Sequence, residues 1–103
     1  MSKGNKKVKA QTLFVKSLTV DAESLLARAT TPEAKEACKK VYEAVRYSDP
    51  MSNDALAGIE SQITLKFNEL SEAVSGGADN VKNIADELVI LIGDRNKKCK
   101  MLK

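Results

Sequence analysis

Leu56, Ile59, Ile63, Phe67, Leu70 and Val74 recur at intervals of three or four residues. On a helix of 3.6 residues per turn that spacing places all six on one side, as a stripe that must be buried against something. The pattern occurs three more times. Phe14, Leu18, Ala22, Leu25 and Ala29 form one stripe, widened by Val15 and Leu26. Ala34, Ala37, Cys38, Val41, Ala44 and Val45 form another, and Val81, Ile84, Leu88, Leu91, Ile92 and Arg95 line a fourth. No stretch alternates with period two between hairpin-type turns. The chain therefore reads as all-α.

Punctuation between the stripes sets the element boundaries. Thr31 is a suitable N-cap, Pro32 suits the first helical position, and Glu33 suits the positive end of the helix dipole. Asp49-Pro50 closes the second segment, because the residue before proline disfavours helical backbone. Ser52 or Asn53 opens the third, and Gly58 within it suggests close approach to a neighbouring helix. Gly76-Gly77 reads as a stop, followed by Asp79 as a cap. Thr19-Val20-Asp21 is a candidate kink in the first helix, since Thr and Asp favour caps over helix interiors. The expected helices span about 8–29, 32–48, 53–74 and 79–101. Short connections join them, as between antiparallel neighbours in a four-helix bundle.

The expected organisation is a basic flexible tail over 1–7 and a bundle domain over 8–95. Residues 96–103 form either a basic tail or the last helical turns. Large side chains are scarce: aromatics are 4% of the 103 residues. Ala-rich faces bury little each, and the second helix is the shortest, so a groove or a homodimer that covers it is expected.

The residue inventory removes most chemistries. With no His, the chain has no imidazole base, no Ser-His or Cys-His nucleophile and no His-ligated metal. Cys38 and Cys99 lack CxxC spacing and are expected to be reduced, with Cys38 serving as a small apolar core residue. No glycine-rich phosphate cradle occurs. Pairs such as Asp86-Glu87 fall on helix surfaces by period. No catalytic residue, metal, cofactor or small-molecule substrate is therefore inferred. No apolar run is long enough to span a membrane, and no secretory pattern opens the chain, so a cytoplasmic protein is expected.

Charge is distributed unevenly. Residues 1–9 contain Lys3, Lys6, Lys7 and Lys9 and no acid. Residues 95–103 contain Arg95, Lys97, Lys98, Lys100 and Lys103, again with no acid. All fourteen acids lie between, so the net charge is only +3. An up-down-up-down bundle returns its C-terminus to the end where its N-terminus began, which gathers these nine cations at one pole. The turn carrying Arg46, Tyr47, Asp49 and Met51 falls at the same pole. As a partner-facing turn it offers an aromatic and an Arg, both common in binding hot spots. The structural alternative, favoured at this level, packs Tyr47 over the bundle end and lets Asp49 cap or pair with a tail Lys.

Two functions fit. The first is a small helical interaction, adaptor or regulatory module that binds another protein, including a second copy of itself, without catalysis. The second is salt-sensitive binding of nucleic acid or another anion through the basic pole. The basic segments hold no aromatic to stack on a base. The helix after the Asp49-Pro50 turn carries only Lys66 as a base, which makes a poor major-groove reader.

Overall fold

The computed structural model describes residues 3–49 and 54–102, with α1 side chains described from Leu13 onward. Four α-helices account for most of it: α1 (Lys3–Arg28), α2 (Pro32–Arg46), α3 (Ala57–Gly76) and α4 (Val81–Leu102). A single 3-10 turn, Asp54–Leu56, precedes α3. No strand occurs among the described residues. The chain is an all-α four-helix bundle.

The local signals act much as their chemistry requires. The Thr31 Oγ1 accepts from the Ala34 amide at 3.1 Å, and Pro32 opens α2. Gly77 ends α3 with φ at +67°, and the Ala78 amide donates back to the Ala73 carbonyl at 2.9 Å. That left-handed cap satisfies carbonyls the helix would otherwise leave bare. Several features differ from expectation. α2 ends at Arg46 instead of 48, and α3 spans Ala57–Gly76 instead of 53–74. The expected caps Ser52 and Asn53 lie outside the described residues. α1 begins at Lys3, so the segment read as a flexible tail is helical from there on. It also runs unbroken through 19–21, where the Thr19 hydroxyl donates to the Val15 carbonyl at 2.7 Å instead of capping. α4 starts at Val81, with its first amide bond from Ile84 to Asn80; Asn80, not Asp79, stands at the boundary. α4 then crosses Gly93 and carries the C-terminal cations as its last turns.

Helix directions follow from named contacts. Arg28, at the end of α1, donates from Nη2 to Ser71 Oγ late in α3 at 3.1 Å, so α1 and α3 run the same way. Lys66 and Glu87 meet at 2.9 Å, as do Glu60 and Arg95 at 3.0 Å, so α3 and α4 are antiparallel. Glu33, Glu36 and Lys40 face Lys82 and Asp86 across a shallow depression, which makes α2 and α4 parallel.

The order around the bundle is α1, α2, α4, α3. α4 packs along both α2 and α3, and α1 packs along α2 but meets α3 lightly. Sequence spacing had placed α2 and α3 side by side; they stand diagonally instead. The physical reason is the connector. α2 stops at Arg46 and α3 starts at Ala57, which leaves enough chain to cross the bundle end. Leu56, fully buried, anchors the far side of that crossing against α3 and α4.

The core joins Val15, Leu18, Ala22 and Leu25 of α1 to Cys38, Val41 and Val45 of α2, Ile63, Phe67 and Leu70 of α3, and Ile84, Leu88 and Ile92 of α4. Each buried Leu or Ile contributes about 1.5–3 kcal/mol relative to exposure. Gly58 is exposed and has no neighbour within 4 Å of where a Cβ would lie, so it makes no close helix approach. Its place near the start of α3, away from every seam, explains why. Among the described residues, no helix is long and apolar enough to cross a membrane.

Candidate functional site

One pole of the bundle collects the α2 end, the start of α3 and the last turns of α4. Its organising residue is Arg95. The guanidinium is 1% exposed, donates from Nε to Glu60 Oε2 at 3.0 Å and from Nη1 to the Asp49 carbonyl at 2.9 Å. The Phe14 ring lies with its centroid 5.5 Å from the Arg95 Cζ. Three elements are thereby tied together: α4 through Arg95, α3 through Glu60, and the α2–α3 connector through Asp49, with α1 contributing the aromatic face.

This corrects the assignment of Arg95 to an anion-binding surface. Its charge is buried and bonded within the protein to Glu60 and a backbone carbonyl. The reason was present in the residues: Arg95 falls on the apolar stripe of α4, three positions after Ile92. Glu60 went unnoticed as its partner, although it adjoins Ile59 at the inner edge of the α3 stripe.

The other cations of the pole are disposed differently. Lys97, Lys98 and Lys100 are exposed on the last turns of α4. Lys3, Lys6, Lys7 and Lys9 belong to the first turns of α1, and their side chains lie outside the described residues. Lys103 and Met51 also lie outside them.

Tyr47 does not pack over the bundle end. It is 78% exposed, with the Arg46 guanidinium 6.0 Å from its ring centroid. The end is closed instead by Ser48, whose hydroxyl donates to the Ala44 carbonyl at 2.7 Å, and by the Arg95 bond to Asp49.

A second feature lies along the lightly packed α1–α3 seam. Phe14, Leu18 and Phe67 floor a groove of about 410 Å³. Leu13, Ser17 and Asp21 on α1 and Thr64 and Asn68 on α3 form its rim. Leu13 is 55% exposed. Periodicity had assigned Phe14 and Phe67 to the core, and both do line it. What periodicity does not show is that α1 and α3, which meet lightly, are left with an open seam.

Two further titratable groups, Cys38 and Lys66, are shifted by their surroundings. Burial pushes the Cys38 thiol above the usual range, partly offset by the Arg28 charge. Cys99 is also buried, in the last turns of α4. Cys38 lies level with the part of α4 near Lys82 and Asp86, which leaves Cys99 about 20 Å farther along at 1.5 Å per residue. That separation is far beyond disulfide reach. Lys66 bridges α3 and α4, and its hydrogen bond to Glu87 holds the ammonium above the usual lysine range. Among the described residues, no group of three or more Cys, Asp or Glu could hold a metal ion.

Compared with family models, curated proteins and solved structures, the chain matches none.

Proposed function

We propose that this chain is a cytoplasmic helical interaction module that binds another protein and performs no catalysis of its own. The observation that supports this most directly is the open α1–α3 seam. The buried Leu18 and Phe67 and the half-buried Phe14 line a groove that α1 and α3 leave between them, and Leu13 on its rim is exposed. The described rim on α1 runs from Leu13 to Asp21, about 12 Å or two helical turns. That length fits an amphipathic helix presenting apolar residues at i, i+3 or i+4, and i+7. The lack of His, and with it most acid–base and nucleophilic machinery, agrees with a binding role.

The test uses a photo-crosslinking residue placed at Ser17 or Asn68 on the groove rim, and at Lys39 on the exposed face of α2 as the control. Discrete protein adducts from Ser17 and Asn68, absent from Lys39 and lost when Leu13→Asp is added, support the reading. An adduct of twice the chain mass identifies a second copy as the occupant. Equal adducts from all three positions, or none, overturn it.

A further inference from the structure

The basic pole begins where the α1–α3 groove ends, at Phe14, and two helices overhang it. Arg95 reaches the carbonyl of Asp49, three residues past the end of α2, so Arg95 marks the level of the bundle end. From there α4 continues to Leu102, about 10 Å farther at 1.5 Å per residue. The Phe14 ring lies against Arg95, and α1 runs back from Phe14 to Lys3, about 16 Å. α1 and α4 are diagonal in the bundle, so the two overhangs stand apart across its end.

Neither overhang contains an acid: residues 3–13 carry four Lys, and residues 96–102 carry Lys97, Lys98 and Lys100. Arg95 is subtracted from this surface by Glu60, yet Lys97, Lys98 and Lys100 are exposed on the α4 overhang. At their base, α2 ends in Arg46 and the exposed ring of Tyr47. An aromatic 78% open to solvent, with a guanidinium alongside, is a stacking platform that the basic segments themselves lack.

We propose that this pole binds single-stranded nucleic acid, with Lys97, Lys98 and Lys100 of α4 and Arg46 of α2 on the phosphates and a base stacked on Tyr47. A single strand fits better than a duplex for two reasons. Stacking on one turn-borne ring requires an unpaired base. α3, the helix that follows the turn, offers no cation to a groove, because its single base, Lys66, is engaged by Glu69 and Glu87. Binding tolerates sequence, since phosphates and a ring face carry no base code.

The experiment is fluorescence anisotropy of the full chain with a labelled 20-nucleotide oligo-dT, an oligo-U of the same length and a random 20-base-pair duplex. Vesicles containing about a third phosphatidylserine serve as the competing anionic surface. Both single strands are expected to bind at 50 mM salt, more tightly than the duplex. Engagement of four phosphates weakens single-strand binding about 50-fold between 50 and 200 mM salt. Tyr47→Ala is expected to lose about tenfold in affinity, and Tyr47→Phe to retain it. Lys97→Glu, Lys98→Glu and Lys100→Glu together abolish binding; all three residues are exposed, and unchanged helical circular dichroism confirms that the fold survives. Absence of single-strand binding at 50 mM salt overturns the proposal. So does vesicle binding without oligonucleotide binding, or oligonucleotide binding that Tyr47→Ala leaves untouched.

Discussion

Arg95 and Glu60 meet at 3.0 Å with their side chains 1% and 13% exposed, which makes theirs the most deeply desolvated ion pair among the described residues. Two charges removed from water this far recover their desolvation cost only while both partners are present. Arg95 has further support from the Asp49 carbonyl and the Phe14 ring. Glu60 supplies its countercharge.

Removal of that countercharge is expected to be severe. Glu60→Ala strands a buried guanidinium and should cost about 3 kcal/mol. Arg95→Met keeps the apolar stem and removes the charge, and combined with Glu60→Ala it should recover part of the loss. Urea denaturation of both single variants and the double variant yields the coupling energy. Losses that simply add would show that the pair does not act as a unit.

Much of the fold is legible in the sequence, because an apolar stripe at helical spacing has one physical outcome. The stripe from Ile59 to Val74 reads correctly for that reason, and Thr31-Pro32-Glu33 because a side-chain cap and an N-terminal proline each have one place on a helix. Helix pairing is another matter. Period alone says that α2 and α3 each bury a face, and nothing in it says which helix covers which. The diagonal placement follows from where α2 stops, at Arg46, and the sequence pattern runs on smoothly to Ser48. Arg95 carries two conflicting signals, a charge within a basic segment and a position on an apolar stripe; position wins because Glu60 lies opposite. Tyr47 reads as a capping ring on composition, but the ring stands exposed while Ser48 and Arg95 bond the bundle end. The groove is invisible from period alone: Phe14 and Phe67 belong to the core stripes, and the groove beside them depends on how lightly α1 meets α3.

Cys38 should be slow to react and should make stability pH-dependent. Burial raises its thiol above the ordinary range, with the Arg28 charge opposing. Above about pH 8.5, the unfolded thiol ionises before the folded one. The folded state then holds more protons, so unfolding free energy falls with rising pH. Below that range the contribution is fully present. Denaturant titrations from pH 7 to 10 should show a steeper decline for the natural chain than for Cys38→Ala. A disulfide-exchange reagent should label Cys38 at a rate that rises sharply in denaturant. Identical pH slopes would remove the thiol from the account.

Thr31 is a test of local capping independent of the core. Its Oγ1 satisfies the Ala34 amide at 3.1 Å at the exposed start of α2. Thr31→Ala removes that acceptor and should cost about 1 kcal/mol, with Thr31→Ser close to neutral. For a domain of this size that corresponds to a fall of about 4–8 °C in Tm. Calorimetry distinguishes this from a packing effect, because α2 buries Ala34 and Ala37 and not Thr31 itself.

Gly77 and Gly93 have no neighbour within 4 Å of a prospective Cβ, yet they should respond oppositely to alanine. Gly93 lies inside α4, where glycine costs backbone entropy and contributes no packing. Gly93→Ala is expected to stabilise by about 0.5–1 kcal/mol. Gly77 holds φ at +67° as the left-handed cap of α3, a conformation that strains any residue with a Cβ. Gly77→Ala should destabilise by about 1 kcal/mol despite the open space around it. Thermal unfolding of the two variants side by side separates backbone conformation from packing, since neither substitution creates a clash. Destabilisation of Gly93→Ala would mean that α4 does not pass through that position as a regular helix. Neutrality of Gly77→Ala would mean that the left-handed cap can be replaced by another ending at little cost.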